Sequence, residues 1–471
     1  MLNKLIVLEF NELTPRLMSQ FIDEGVLPSF ARLRQESATY VTDAGEDPPH
    51  LEPWIQWVTV HNGVPLSRHS VVSLGDANKS AAPSIWDVVS DSGGTVWVCG
   101  SMNAAYKGTI KGLVLPDPWS VHVRPNDPEL APYFDFVRSN VLEYTRDRLQ
   151  LGWRQYLRFA WFMLRHGLSF GTILLAARQL LTERFGKTRW RRATILDRLQ
   201  FDVFRHYYHK LNPTLSTFFV NSTAHFQHVY WRNFEPAHFA LTPTQADQKM
   251  YGDAVRYGYR CMDKIVGMVL EMAGDDATIV LATALSQQPC LKYESVGGKI
   301  IHKPHAFEPL LRFAGIDPTS CAAEPVMAEE FHLRFSSDIA AEHARARLLE
   351  LRIGDERVMN AAQNGSSLKA GCGIFHEVRP GAVVLGSGGT TSFESLFYEV
   401  DTTKSGMHHR DGMLWIREPR GTTHRVESDR VPLESLAPTF LSLLNIRPAS
   451  MMKGAVLTDR AMLQPLRRTA P

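Results

Sequence analysis

The run Leu-Ile-Val-Leu at residues 5–8 constrains this chain most. It is apolar at every position, so it suits a strand buried on both faces, with helices covering both sides of a parallel sheet. A helix follows: Thr14 is a good N-cap, Pro15 fits the first helical position, and Leu17, Met18, Phe21 and Ile22 recur at helical spacing. Similar strand patterns occur at 95–99, 216–220 and 277–282, with helical patterns between them, notably 251–272. This alternation predicts an α/β fold with a doubly wound, mostly parallel sheet. In such sheets chemistry gathers at the carboxyl ends of the strands, here 9–12, 221–228 and 283–288.

The 471 residues allow one large α/β domain with insertions. We divide them into core segments at 1–150, 211–299 and 391–471, a basic helical insertion at 151–210 and an α+β cap at 300–390. The cap reading rests on a strand pattern at 328–335, a helix pattern at 338–351, small residues at 358–373 and a short strand at 381–385. The net charge of +2 provides no global field for nucleic acid. The five cysteines, none at Cys-x-x-Cys spacing, predict reduced thiols rather than a disulfide framework or zinc knuckle. The opening apolar run is too short for a signal-peptide core, and no segment reaches the ~18 apolar residues that span a bilayer. A cytoplasmic protein is expected.

Residues 151–210 carry 12 Lys and Arg against 3 Asp and Glu and are rich in aromatics. The favoured expectation is an insertion packed on the core with a solvated basic rim. A basic lid over an anionic substrate and an amphipathic membrane-surface element are the lesser alternatives. Phe185-Gly186-Lys187-Thr188 is not a phosphate loop, because the glycine required five residues earlier is Leu181.

An ordered series of segments resembles the alkaline phosphatase superfamily, in its phosphodiesterase/nucleotide pyrophosphatase-like branch. Leu5-Ile-Val-Leu-Glu-Phe-Asn-Glu is similar to the first strand, which ends in Asp-Gly in that family. Gly25-Val-Leu-Pro-Ser-Phe-Ala-Arg-Leu is similar to its next helix. Trp57-Val-Thr-Val-His-Asn-Gly63, with Pro65 and His69, resembles the nucleophile helix. Ser222-Thr-Ala-His-Phe-Gln-His228 resembles the Asp…His metal segment, and Gly406-Met-His408 the late Gly-Thr-His. The stretch from Val431 to Gly454 resembles the closing Asp-Ile-Ala-Pro-Thr helix and its glycine.

The resemblance implies two divalent metals held by Asp and His, activating a Thr or Ser nucleophile. The residues depart from it. The first Asp is Asn11, the Asp before His228 is Ala224, and the paired Asp-His is Ala284-Leu285. No hydroxyl lies between His50 and Val58, where Leu51-Glu52-Pro53-Trp54 stands instead. Amides and alkyl groups are poor or null zinc ligands, so a two-metal site is not expected.

What survives is a polar cluster rich in His, Glu, Gln and Asn, including Glu9, Glu12 and Gln56. We expect a divergent hydrolase or transferase acting on a phosphate, sulfate or related ester, with at most one zinc. His228 and His408 would bind that metal or polarise the substrate, and Glu52 would serve as base or third ligand. Asn11, Gln287, Gln288 and His225 would hydrogen-bond the substrate, and Arg410 would attract its negative charge. The alternative is a pseudoenzyme that binds an anionic ligand or a protein partner without turnover. Glu9 has a competing reading as a salt-bridged strand-end group, and Asn11 as a helix cap.

Overall fold

The computed structural model describes residues 3–120, 122–141, 152–186, 188–296, 298–325, 330–419, 424–427 and 429–457. Its centre is one large sheet. The strands are β1 (Leu5–Phe10), β2 (Ala38–Asp43), β3 (Val96–Cys99), β4 (Gly112–Leu115), β5 (Leu215–Val220) and β6 (Thr278–Ala282). Strand β7 (Ser286–Pro289) pairs antiparallel with β8 (Gly406–His409) in a separate two-stranded ribbon, and β9 (Asp411–Arg417) returns to the large sheet. Strands β6, β1, β5, β3 and β4 run parallel side by side. Strand β9 lies antiparallel between β6 and β2, and two short parallel strands, Arg425–Val426 and Val431–Pro432, pair with β2.

Every residue of β1 is buried. Its odd and even side chains enter different cores, Leu5 and Val7 on one face and Ile6, Leu8 and Phe10 on the other. That is the period-two division expected of a strand covered on both sides. The covering helices named below are α1 (Pro15–Asp23), α2 (Pro53–Asn62), α3 (Ala131–Val141), α4 (Trp153–Arg165), α5 (Phe170–Phe185), α6 (Arg192–Leu211), α7 (Ser222–Phe234) and α8 (Ala254–Ala273). Helix α2 is buried along its whole length. Thr14 is the N-cap of α1 as expected, yet its hydroxyl donates to Gln227 Oε1 and to the Gln287 carbonyl rather than capping the helix.

A third apolar cluster runs from Leu310 to Phe397 and is separate from the two sheet cores. It packs a helix at Asp338–Leu349 against an antiparallel sheet of four strands, including the strand Glu330–Phe335. The small-residue stretch is the hairpin Met359–Asn364 and Ser367–Cys372 in that sheet. Ala328, where the sequence pattern begins the strand, lies outside the described residues, as does the tail from 458. Among the described residues no helix is long and apolar enough to cross a membrane.

Candidate functional site

The chain leaves β1 through Asn11 and Glu12. Glu12 holds a left-handed backbone, with φ 60°. A non-glycine residue there is strained by about 1–2 kcal/mol, and such strain collects at functional positions. In the resemblance this is the glycine of Asp-Gly. The carboxylate that Asn11 lacks stands one residue later. Gln227 of α7 fixes the turn by donating its amide to the Glu12 carbonyl at 2.7 Å.

Two elements bring imidazoles to the Glu12 carboxylate, which is only 2% exposed. His228 comes from the middle of α7 and places Nε2 3.1 Å from Glu12 Oε2. His408 comes from β8 and places Nε2 3.6 Å from the same oxygen. One donor atom from each residue can be chosen so that all lie within 4.8 Å of one another. The sequence reading found both imidazoles, offered Glu52 as their third ligand and counted Glu12 only among the polar cluster. The carboxylate that stands with both imidazoles is Glu12. The resemblance points to position 11, and only the observed turn shows that position 12 faces inward.

The donor set can be tested for a cation without reference to any relative. His228 Nδ1 lies 3.0 Å from the Gly406 carbonyl, and His408 Nδ1 2.9 Å from the Leu51 carbonyl. A carbonyl only accepts, so both Nδ1 atoms carry hydrogen. Each ring therefore turns its other nitrogen, Nε2, toward Glu12. Burial pushes His408 down to about 4, so it is neutral near pH 7. Glu12 is ionised there. Burial opposes its charge, but the fields of His408 and His228 and hydrogen bonds from His228 and Gln287 hold its carboxyl near 2. Two Nε2 atoms and a carboxylate facing one point call for positive charge between them, which a proton on an imidazole or a metal cation in its place supplies. Two nitrogens and one oxygen form a zinc-type set with a fourth position open, as in catalytic rather than structural sites. Backbone carbonyls fixing the remote nitrogens are the usual outer support of such ligands. With bonds of ~2.0–2.1 Å, tetrahedral ligands sit about 3.3 Å apart, close to the 3.1 and 3.6 Å found. The residues fit one zinc.

The surrounding groups hold this arrangement. Gln287 of β7 lies opposite His408 in the β7–β8 ribbon, and its amide donates to Glu12 Oε2 at 2.5 Å and to the Ala224 carbonyl at 2.9 Å. Asn11 donates to Glu12 Oε1 at 2.9 Å and to Asn221 Oδ1 at 2.8 Å, and its own oxygen accepts from Trp57 Nε1 at 2.9 Å. Gly406 must be glycine, because a Cβ there would stand 2.4 Å from Gln287 Oε1 and 2.5 Å from the Gln227 carbonyl.

Several expected site residues go elsewhere. Asn11 spends both ends of its amide on neighbours, so it orients Glu12 and is neither a helix cap nor a substrate donor. Gln288 pairs with Met407, one residue out of step with His408, and donates to the His408 carbonyl at 3.2 Å. The alternation that brings Gln287 inward turns Gln288 away. Arg410 is held by Asp43, at 2.9 Å, rather than in the cluster. His225 is exposed and lines a different cavity. Gln56 donates to the His50 carbonyl. Glu9 Oε1 meets His61 Nε2 at 2.9 Å inside the core, so it is a paired strand-end group rather than a member of the cluster. His69 is buried and 3.2 Å from the Thr59 hydroxyl of α2, behind the site.

Glu52 does arrive. It is the N-cap of α2, with Pro53 at the first helical position, and its Oε2 lies 3.5 Å from His408 Nδ1. Burial is the largest influence on its carboxyl and pushes it up to about 8, so it carries a proton at neutral pH.

The cavity at His225 encloses about 340 Å³ at the carboxyl ends of β3 and β5, walled by Gly100, Tyr133, Val137, Asp197, Asn221 and His225. Burial pushes Asp197 up to about 7, and its Oδ2 has no hydrogen-bond partner. A carboxyl raised in the folded state binds its proton more tightly folded than unfolded. Stability contributed by Asp197 is therefore complete below its ordinary value of 3.8 and is lost as pH rises toward 7. Asp197→Asn is expected to melt like wild type near pH 4 and to be more stable by up to ~4 kcal/mol above pH 7, read from urea melts across pH.

Comparison with known proteins gives a likeness of fold. No protein-family profile matches the chain, and no curated protein matches it. Among solved structures it is similar to murine ectonucleotide pyrophosphatase/phosphodiesterase 5, an inactive form in complex with AMP. That likeness has 9% identity over 95% of this chain and 96% of the other, with a TM-score of 0.46. The human form gives 9% identity over the same shares and a TM-score of 0.44. Phosphonoacetate hydrolase from Sinorhizobium meliloti, in complex with phosphonoformate, gives 10% identity over 94% and 95%, with a TM-score of 0.46. At such identity and with TM-scores below 0.5 they carry no argument about the site, which rests on this chain's own atoms.

Proposed function

We propose that this chain is a single-metal hydrolase or transferase of phosphate, sulfate or related esters. The observation that carries the reading is the convergence of Glu12, His228 and His408, with both imidazole Nδ1 atoms pinned to backbone carbonyls. Zinc held there would polarise the ester oxygen and stabilise negative charge as it develops. Asn11 and Gln287 hold the Glu12 carboxylate in place. The protonated Glu52 carboxyl, beside His408, would give its proton to the leaving-group oxygen, the role of a general acid. The N-terminal end of α2 brings its partial positive charge to the same place. Because Glu52 holds its proton at neutral pH, the acid role displaces the base or third-ligand role expected from sequence.

The test uses bis(p-nitrophenyl) phosphate, p-nitrophenyl phosphate and p-nitrophenyl sulfate with zinc-loaded protein. Glu52→Gln keeps the size and loses the proton, so kcat should fall by about 10²–10⁴ while zinc affinity stays within a few-fold. An unchanged kcat removes Glu52 from the chemistry. Stoichiometric zinc with no turnover of any ester would favour the pseudoenzyme, in which the apolar Ala284 and Leu285, fully buried, mark a discarded half-site.

A further inference from the structure

Helices α4 and α5 are built the wrong way round for a packed insertion. The only fully buried side chains of α5 are polar, Thr172 and Gln179. Its apolar stripe, Phe170, Ile173, Leu174, Leu180, Leu181 and Phe185, faces solvent, with Phe170 78% and Phe185 86% exposed. Helix α4 likewise shows Trp153, Tyr156, Leu157, Trp161 and Leu164 to solvent. A core-facing helix does the reverse. Both helices are nonetheless held in place. Phe159 of α4 stacks on Phe136 of α3 at 3.8 Å, and Phe162 packs near Tyr133 at 5.9 Å. Helix α5 is fastened to α6 by polar bonds at both ends: the Ser169 backbone donates to Asp202 Oδ2 at 2.9 Å, and Arg192 Nε donates to Glu183 Oε1 at 2.8 Å. The exposed apolar surface is therefore a fixed feature of the fold. It stands beside the basic rim expected from sequence, whose Arg154, Arg158, Arg165, Arg178 and Arg184 are exposed.

The charges name the occupant. Between Gly152 and Arg192 the chain has nine Arg and Lys and one acidic residue, Glu183, which is bonded to Arg192. Arg165 lies over the Trp161 ring at 4.7 Å and Arg154 over Trp153 at 5.5 Å, so guanidinium groups sit at the level of the indoles. Aromatic and leucine side chains bordered by arginine, on helices too short and too charged to span, are the pattern of an element lying in a lipid interface. A second copy of the chain fits less well, because it would bring nine cations against nine.

We propose that α4 and α5 dock this protein on an anionic bilayer surface, the apolar stripes entering the headgroup boundary and the arginines meeting lipid phosphates. The test is sedimentation of the full chain with vesicles of phosphatidylcholine alone or mixed with phosphatidylglycerol. Wild type should pellet with the mixed vesicles and bind at least ~10-fold more weakly to the neutral ones or in about 0.5 M salt. Leu174→Asp/Leu181→Asp should lose at least ~10-fold of binding with an unchanged melting curve, since both leucines face solvent. Arg154→Glu/Arg158→Glu should lose binding to the mixed vesicles specifically. Wild type remaining in the supernatant with mixed vesicles overturns the proposal. So do leucine variants that bind as wild type. A dimer abolished by Leu174→Asp/Leu181→Asp, without vesicle binding, overturns it in favour of a face between copies.

Discussion

Titrated against a chromophoric chelator, the wild-type chain should take up one equivalent of zinc, and His228→Ala, His408→Ala and Glu12→Ala should each nearly abolish it. The expected size follows from geometry. Each variant deletes one of three protein donors, and Glu12→Ala also removes the only anion among them. Losing an outer-shell partner typically costs 10–100-fold in metal affinity, and losing a donor exceeds that. Asn11→Ala supplies the internal comparison. It keeps all three donors and removes a bond to Glu12 Oε1, so it should fall within the ~10–100-fold range. Gln288→Ala and Arg410→Ala should bind zinc as wild type, because their side chains serve the His408 carbonyl and Asp43. No zinc on wild type, or equal affinity in Glu12→Ala, would defeat the site.

The second large effect lies in the core. His61→Leu should destabilise the fold by about 3–5 kcal/mol. Glu9 is fully buried in the middle of the sheet, its Oε1 meets His61 Nε2 at 2.9 Å, and its Oε2 already lacks a partner. Removing the imidazole strands a carboxylate among apolar side chains, with the Trp86 ring 4.8 Å from the vacated ring position. Glu9→Leu/His61→Leu should recover much of that loss, since replacing a whole buried pair by apolar groups is often nearly neutral. Urea melts of both single variants and the double give the coupling directly. A small single-variant loss, with no recovery in the double, would mean that the pair contributes little.

The two candidate carboxylates near the start of the chain differ in the same way. Glu9 and Glu12 both follow the first apolar run, and composition does not separate them. Glu9 belongs to the strand, so the pleat points it into the sheet core, where His61 waits on α2. Glu12 belongs to the turn, where a positive φ swings it toward α7 and β8. The ribbon of β7 and β8 separates Gln287 from Gln288 by the same alternation. Neither distinction is visible until strand ends and register are known.

The sequence by itself determined the layered architecture, because burial on both faces leaves an unbroken apolar run and helical spacing leaves another signature. The large strands and the helix now at Ala254–Ala273 were legible for that reason. It also located His228, His408 and Glu52, which sit next to recognisable local patterns. Tertiary structure alone decided that Glu12 stands with His228 and His408, that Asn11 and Gln287 bond to it, and that Arg410 and His225 stand apart. It also turned the apolar stripes of α4 and α5 outward, although their periodicity reads equally well as a buried face. Periodicity records which residues share a side of an element. Which side meets the core depends on contacts between stretches hundreds of residues apart.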